Sequence, residues 1–174
     1  VTEYCYRWNQ RRNEPGFVLS VEEARAKDAA GEEYTAILPP RPATTTPVLV
    51  TPVWQTGVVV VTFRDDFGRR TTEFTFLKRD EARMFLDSIH LWTYPNDDPR
   101  LRLGDAALLE VTRYRDDGYV KRVITNKDKG HRDTIEYSGV PVDINWEPVP
   151  PFGDYESIGR FERGAPPLDD YPSA

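Results

Sequence analysis

Val58-Val59-Val60-Val61-Thr62-Phe63-Arg64-Asp65-Asp66-Phe67-Gly68-Arg69-Arg70-Thr71-Thr72-Glu73-Phe74-Thr75-Phe76 is the stretch around which the chain is organised. Two runs of β-branched and aromatic residues flank a short polar turn that ends in glycine, which is the pattern of a β-hairpin. Asp65-Asp66-Phe67-Gly68 suits a type I turn closed by a glycine in the left-handed region, where a Cβ would be penalised. The second arm alternates Thr72, Phe74 and Phe76 against Thr71, Glu73 and Thr75, giving one apolar and one solvated face. The first arm is apolar on both faces at Val58 to Val61, so it belongs in the middle of a sheet. Asp65, Asp66, Arg69 and Arg70 resist burial without partners, so the tip is expected to stand out beyond the core.

The chain has 174 residues, which fits one domain spanning 1–174. Charged residues make up 30% and aromatics 12%, a combination that favours a folded domain with large core side chains over disorder. The formal net charge is -6, which argues against nucleic-acid binding. Cys5 is the only cysteine and can form neither an internal disulfide nor a thiolate metal site, so a reducing, cytoplasmic setting is expected. Its place between Tyr4 and Tyr6 reads as a small buried hydrophobe. No apolar run approaches the ~20 residues of a membrane helix, and no secretory signal is visible after Val1.

Outward from the hairpin, Tyr4, Tyr6 and Trp8 alternate with Cys5 and Arg7 as an opening strand, which Asn13-Glu14-Pro15-Gly16 breaks. Ser20-Val21-Glu22-Glu23 has capping-box spacing and predicts a helix over Val21 to Ala30, ended by Gly31. The proline-rich run near 39–47 predicts an extended surface connector. Val48 to Trp54 reads as a strand, and Pro52 places it at a sheet edge. After Lys78-Arg79-Asp80, the spacing of Ala82, Phe85, Leu86 and Ile89 predicts a second helix from Glu81 to His90, capped by Asp80. A turn or third helix is expected near Gly104-Asp105. Strands follow over Leu108 to Tyr114, Tyr119 to Thr125 and Arg132 to Tyr137, joined by turns at Asp116-Asp117-Gly118 and Asn126 to Gly130. Asn145 to Asp154 is expected to wrap over the core as a strap, Asp154 to cap a last helix over Glu156 to Phe161, and the tail after 164 to be loosely held. The fold class is α+β: a mainly antiparallel, twisted sheet with two or three packed helices.

His90 and His131 lie on different elements, and the acid pairs, including Asp97-Asp98 and Asp169-Asp170, fall in predicted turns or tails; no catalytic residues, no metal site and no cofactor are assigned. Recognition remains. Phe67 offers a flat apolar anchor, Gly68 permits close approach, and Asp65, Asp66, Arg69 and Arg70 surround them with charge of both signs; aromatic and arginine side chains dominate interface energetics. If the partner's cleft holds a dinucleotide, Asp65 and Asp66 can take phosphate positions and Phe67 a ring position. Asp116, Asp117, Tyr119 and Trp146 are candidate flanking contacts.

The Arg64-Asp65-Asp66-Phe67-Gly68-Arg69-Arg70 hairpin and the Trp146-Glu147-Pro148-Val149-Pro150-Pro151-Phe152-Gly153-Asp154 segment, in an acidic, cysteine-poor chain of this length, resemble the immunity proteins of actinobacterial polymorphic toxin systems, in particular the immunity factors against NAD-glycohydrolase toxins such as the tuberculosis necrotizing toxin. The resemblance implies a cytosolic antitoxin that binds the toxin domain one to one and blocks its NAD-binding cleft with the tip around Gly68. On that reading a bulky residue at Gly68 abolishes inhibition and leaves the fold unchanged. Two other readings stay open: a small enzyme or ligand-binding module with an aromatic-lined cleft, and an adaptor that presents its proline-rich connector.

Overall fold

The computed structural model describes residues 2–42 and 44–163 together with Leu168 and Tyr171. Its strands are β1 (Glu3–Asn9), β2 (Glu14–Leu19), β3 (Thr35–Pro40), β4 (Pro47–Val53), β5 (Val58–Arg64), β6 (Arg70–Lys78), β7 (Arg83–Thr93), β8 (Leu108–Tyr114), β9 (Val120–Asn126), β10 (His131–Tyr137) and β11 (Trp146–Pro148). All pair antiparallel in one open sheet of order β10-β9-β8-β7-β6-β5-β4-β3-β1-β2, with β11 added beside β7. Helices α1 (Val21–Ala30) and α2 (Glu156–Gly159) complete an α+β fold.

β5 lies in the middle of the sheet, as its two apolar faces require, and pairs with β6 from Val58↔Leu77 to Arg64↔Arg70. Val59, Val61 and Phe63 join Phe74, Phe76, Val48, Val50, Met84 and Leu86 in the main core. Over this face lie α1, through Ala24, and the carboxy-terminal strap, through Tyr155 and Ile158. The capping box of α1 forms in full: the Glu23 amide donates to the Ser20 hydroxyl and the Ser20 amide to the Glu23 carboxylate, while Gly31 ends the helix at φ 74°. The strap runs from β11 to a stack of Phe152 on Tyr4, at 5.2 Å between ring centres. A buried ion pair of Glu147 with Arg163, at 2.7 Å, holds its far end. Of the tail expected to be loosely held after 164, only Leu168 and Tyr171 are described, and both pack on the second core cluster around Phe85, Tyr114 and Tyr137.

Several expectations are corrected. The segment read as a helix from Glu81 to His90 is mostly β7. Its apolar residues satisfy helical spacing, but Met84, Phe85 and Leu86 are buried in succession, which a strand flanked on both sides achieves and an amphipathic surface helix does not. A bulge between Thr75 and Phe76 absorbs the shift of phase. The Asp80 carboxylate instead accepts from the Ala82 and Arg83 amides in the β6–β7 turn. β4 is an interior strand, not an edge: its pairing with β3 starts at Ala36↔Val50, two residues short of Pro52, so the proline sits where only β5 flanks it. Pro39, Pro40 and Pro47 lie in β3 and β4, so that of the expected connector only Arg41, Pro42 and Thr44 to Thr46 are described outside strands. Of Asn13-Glu14-Pro15-Gly16, read as a break, the last three residues open the edge strand β2. Tyr155, not Asp154, precedes α2, without a side-chain cap.

A buried polar network ties α1 to the strap. The Tyr34 hydroxyl lies 2.7 Å from the Asp28 carboxylate and 2.5 Å from the Tyr155 hydroxyl, and the Trp54 indole donates to Asp28 at 2.6 Å. Burial first, then these hydrogen bonds, pushes the Tyr34 pKa well above its ordinary value. Tyr34→Phe is expected to lower stability by about 1–3 kcal/mol, because Asp28 and Tyr155 lose a buried partner; urea unfolding measures it, and an unchanged midpoint and slope would contradict the role.

Candidate functional site

Among the described residues, both α-helices pack on the face of the main core, through Ala24 and Ile158, and none covers the second face. Cys5, Ile37 and Leu49 alternate with the core residues Tyr4, Ala36 and Val48, so they point the other way, and they are nonetheless buried, with Trp8 packed on them. The β1–β2 arm therefore curls over this face. Its turn carries Gln10 to the Arg64 guanidinium and Asn13 to Gly68.

The β5–β6 turn, expected to be a freestanding finger, is braced by three neighbouring loops. Asp65 organises it: one carboxylate oxygen accepts from the Phe67 and Arg69 amides at 3.1 and 2.9 Å, and the other accepts from Arg69 Nε at 2.7 Å. Arg69, expected at a solvated tip, is buried, because its guanidinium also donates to the carbonyls of Asn96 and Asp98 at 2.8 and 3.2 Å. It lies over the Tyr94 ring at 4.4 Å and over Phe67 at 4.9 Å. Asp66 ties the turn to the β3–β4 loop, accepting from the Thr45 amide and hydroxyl at 2.8 and 2.9 Å, bonds that lower its carboxyl pKa. Arg70 pairs with Glu73 at 2.7 Å, and its carbonyl accepts from the Tyr94 hydroxyl. Phe67 stays 44% exposed.

Between this turn, the β1–β2 turn and the β7–β8 loop lies a cleft of about 530 Å³. Its walls join apolar Phe67, Tyr94, Leu101 and Leu103 to Arg11, Arg70 and Arg102. Of the residues singled out in the sequence, Phe67, Gly68, Arg69 and Arg70 line it, whereas Asp65 and Asp66 act from behind as braces. Gln10, Arg11, Asn13, Tyr94 and the 99–103 segment were missed; they come from distant stretches, and no local pattern marks their convergence.

The proposed flanking residues do not adjoin the tip. β5 to β9 form an antiparallel meander, so successive turns alternate between its ends. The β5–β6 and β7–β8 connections share one end. Asp116, Asp117 and Tyr119, in the β8–β9 turn, lie at the other, with Asp117 paired to Arg115, whose guanidinium lies over the Tyr119 ring. Trp146 is also remote, paired with Phe85 near the start of β7 and packed edge-on against its ring. Among the described residues no group of three His, Cys, Asp or Glu side chains is arranged to hold a metal ion, and no helix is long and apolar enough to cross a membrane.

Gly68 is corrected as a probe of the partner. It has φ 75°, and a Cβ there would lie 2.2 Å from the Asn13 side-chain nitrogen, inside the chain itself. Gly68→Ala is expected to cost about 1–2 kcal/mol from the left-handed backbone, and more because its Cβ already meets Asn13. Gly68→Trp should cost more again, because the indole must push Asn13 further; an Asn13→Gly background should recover only the part due to Asn13. Equilibrium unfolding of the four variants, including Asn13→Gly, tests this, and a Gly68→Trp protein as stable as the parent would refute the internal contact.

His90, opposite Glu73 in the β6–β7 ladder, has its pKa lowered by burial, with Glu73 opposing and Arg113 and Arg70 adding to the depression. Its folded pKa lies below the unfolded value of about 6.5, so the unfolded chain takes up this proton first. Stability from His90 is therefore full above that pH and declines as pH falls through it. His90→Gln should flatten the profile as pH falls below about 6.5; an unaltered slope would discount the burial effect.

Compared with protein-family models, curated proteins and solved structures, the chain matches none.

Proposed function

We propose that the chain is a toxin-neutralising binding protein whose braced loop end covers the NAD-binding cleft of an NAD-glycohydrolase toxin domain in a one-to-one complex. The resemblance of the 64–70 and 146–154 segments selects the toxin class. The observation that carries the choice of surface is the bracing of Phe67: Asp65, Arg69 and the Thr45 contact fix the turn that presents an exposed aromatic ring. A contact residue held before docking loses little freedom on binding, which is how preorganised inhibitors retain affinity.

The inhibitory element differs from the finger expected from the hairpin alone. A standard inhibitory interface buries ~1,600 Å² in total, more than one turn supplies. The adjoining Gln10–Asn13 turn and the 96–103 loop provide the remainder in place of Asp116, Asp117, Tyr119 and Trp146. Arginines and an aromatic ring gathered at one end match the usual composition of interface hot spots.

Phe67→Ala is the decisive variant, because its side chain is exposed and its removal disturbs none of the bracing hydrogen bonds. With a toxin domain of the NAD-glycohydrolase class, the parent chain should stop NAD cleavage at equimolar concentration. Phe67→Ala should weaken inhibition by about 2 kcal/mol, roughly thirtyfold, while lowering stability by no more than about 1 kcal/mol, the worth of the lost Arg69 contact. Undiminished NAD cleavage in the presence of excess parent chain overturns the toxin assignment; full inhibition by Phe67→Ala overturns the surface. The reading as a ligand-binding module is favoured by one observation, the cleft of about 530 Å³ beside the turn, which lies within the range of small-molecule sites.

A further inference from the structure

Arg64 ends β5 and is only 1% exposed. Among the described residues its guanidinium has one hydrogen-bond partner, the Gln10 side-chain oxygen at 3.4 Å from Nη2; Nε and Nη1 have none. The group lies over the Trp8 ring at 4.6 Å. Arg70 is near enough to lower the Arg64 pKa further, although burial is the larger cause, and the two together bring it down to about 10. Arg70 Nε and Trp8 Nε1 are likewise buried without a hydrogen-bond partner among the described residues. Every one of these atoms is a donor.

A buried guanidinium is ordinarily held by a carboxylate, since removing the charge from water is costly unless an opposite charge compensates it. Arg163, on the other face, shows the usual solution, with Glu147 at 2.7 Å. Among the described residues Arg64 has no such partner. Water could satisfy its donors but would leave its charge uncompensated. Gln10 and Arg70 both belong to the wall of the cleft described above, and Gln10 is exposed and bonded to Arg64 by a single long contact. Arg11 stands at the same wall.

We propose that this cleft is a binding site for a small anion, a carboxylate or phosphate group that enters past Arg11, contacts Arg70, displaces the Gln10 side chain and reaches Arg64. Charge-assisted hydrogen bonds to a planar guanidinium suit both groups. The inference goes beyond the toxin-binding reading and does not depend on it, because it is tested on the isolated chain.

Thermal unfolding of the full chain is followed in sodium phosphate, sodium acetate and sodium chloride at matched ionic strength. Phosphate or acetate should raise the midpoint saturably while chloride does not, and the anion that saturates at the lower concentration identifies the preferred group. Arg64→Met should abolish the rise while leaving the anion-free stability equal or higher, since an uncompensated charge is removed. If Arg64→Met does not fold, Arg70→Gln carries the test and should weaken the anion effect by about tenfold or more. A side-chain ¹H–¹⁵N spectrum should show the Trp8 indole resonance moving with the same saturation. The proposal is overturned if neither anion acts saturably, if the rise persists in Arg64→Met, or, where that variant does not fold, if Arg70→Gln responds at the same anion concentration as the parent.

Discussion

A sheet with its helices on one face must cover the other by a different means wherever its strands are apolar on both sides, and here the sheet covers itself. Cys5, Ile37 and Leu49 cannot be left in water beside Thr62 and Arg64, so the β1–β2 arm bends back and lays Trp8 over them. That single packing requirement has two consequences at a distance. It brings the Gln10–Asn13 turn against the β5–β6 turn, which creates the cleft, and it removes Arg64 from solvent. The site is thus a by-product of core closure, built where the curl runs out.

The charge at this end of the molecule is arranged in layers. Asp65, Asp66 and Asp98 are engaged in holding loops, although Asp66 and Asp97 remain exposed: Asp98 is bonded to Arg100, which lowers its carboxyl pKa to about 2. The cleft-facing positions go to Arg11, Arg70 and Arg102 together with Phe67. A chain with formal net charge -6 therefore offers a partly basic, aromatic surface at its loop end. Net charge alone points to a basic partner; the local arrangement admits an acidic one at the cleft, and local complementarity decides registration once partners are within a Debye length, ~8 Å at physiological salt.

Local rules were sufficient wherever the physics was local. The capping box at Ser20, the glycine stop at Gly31 and the β8–β9–β10 meander with its Asp-Gly turn depend on neighbours within a few residues and were legible to within about a residue. β7 was not, because Ala82, Phe85, Leu86 and Ile89 fit a helical stripe as well as a doubly buried strand, and only β6, β8 and β11 on its flanks decide between them. The turn residues 65–70 could be identified as chemically distinctive, but not their roles. Whether Asp65 faces a partner or braces Arg69 depends on Asn96 and Asp98, some thirty residues along the chain, and whether Gly68 is free depends on Asn13. Arg64 gave no signal at all, since an arginine closing a valine-rich strand normally marks where the strand reaches water.

The cleft and the exposed ring also constrain one another. Phe67 and Arg70 share a wall of the cleft, and Arg69 between them is fixed by the same bonds that hold the turn. A protein that covers Phe67 therefore closes the route to Arg64 against a free anion unless it supplies the negative charge itself. If the partner brings a carboxylate into the cleft, the cost of keeping Arg64 buried is offset only in the complex, and the free chain is held slightly less stable than it need be. Retaining an uncompensated arginine at that position is then understandable as a contribution to binding, where an apolar residue of similar length would have served the isolated fold better.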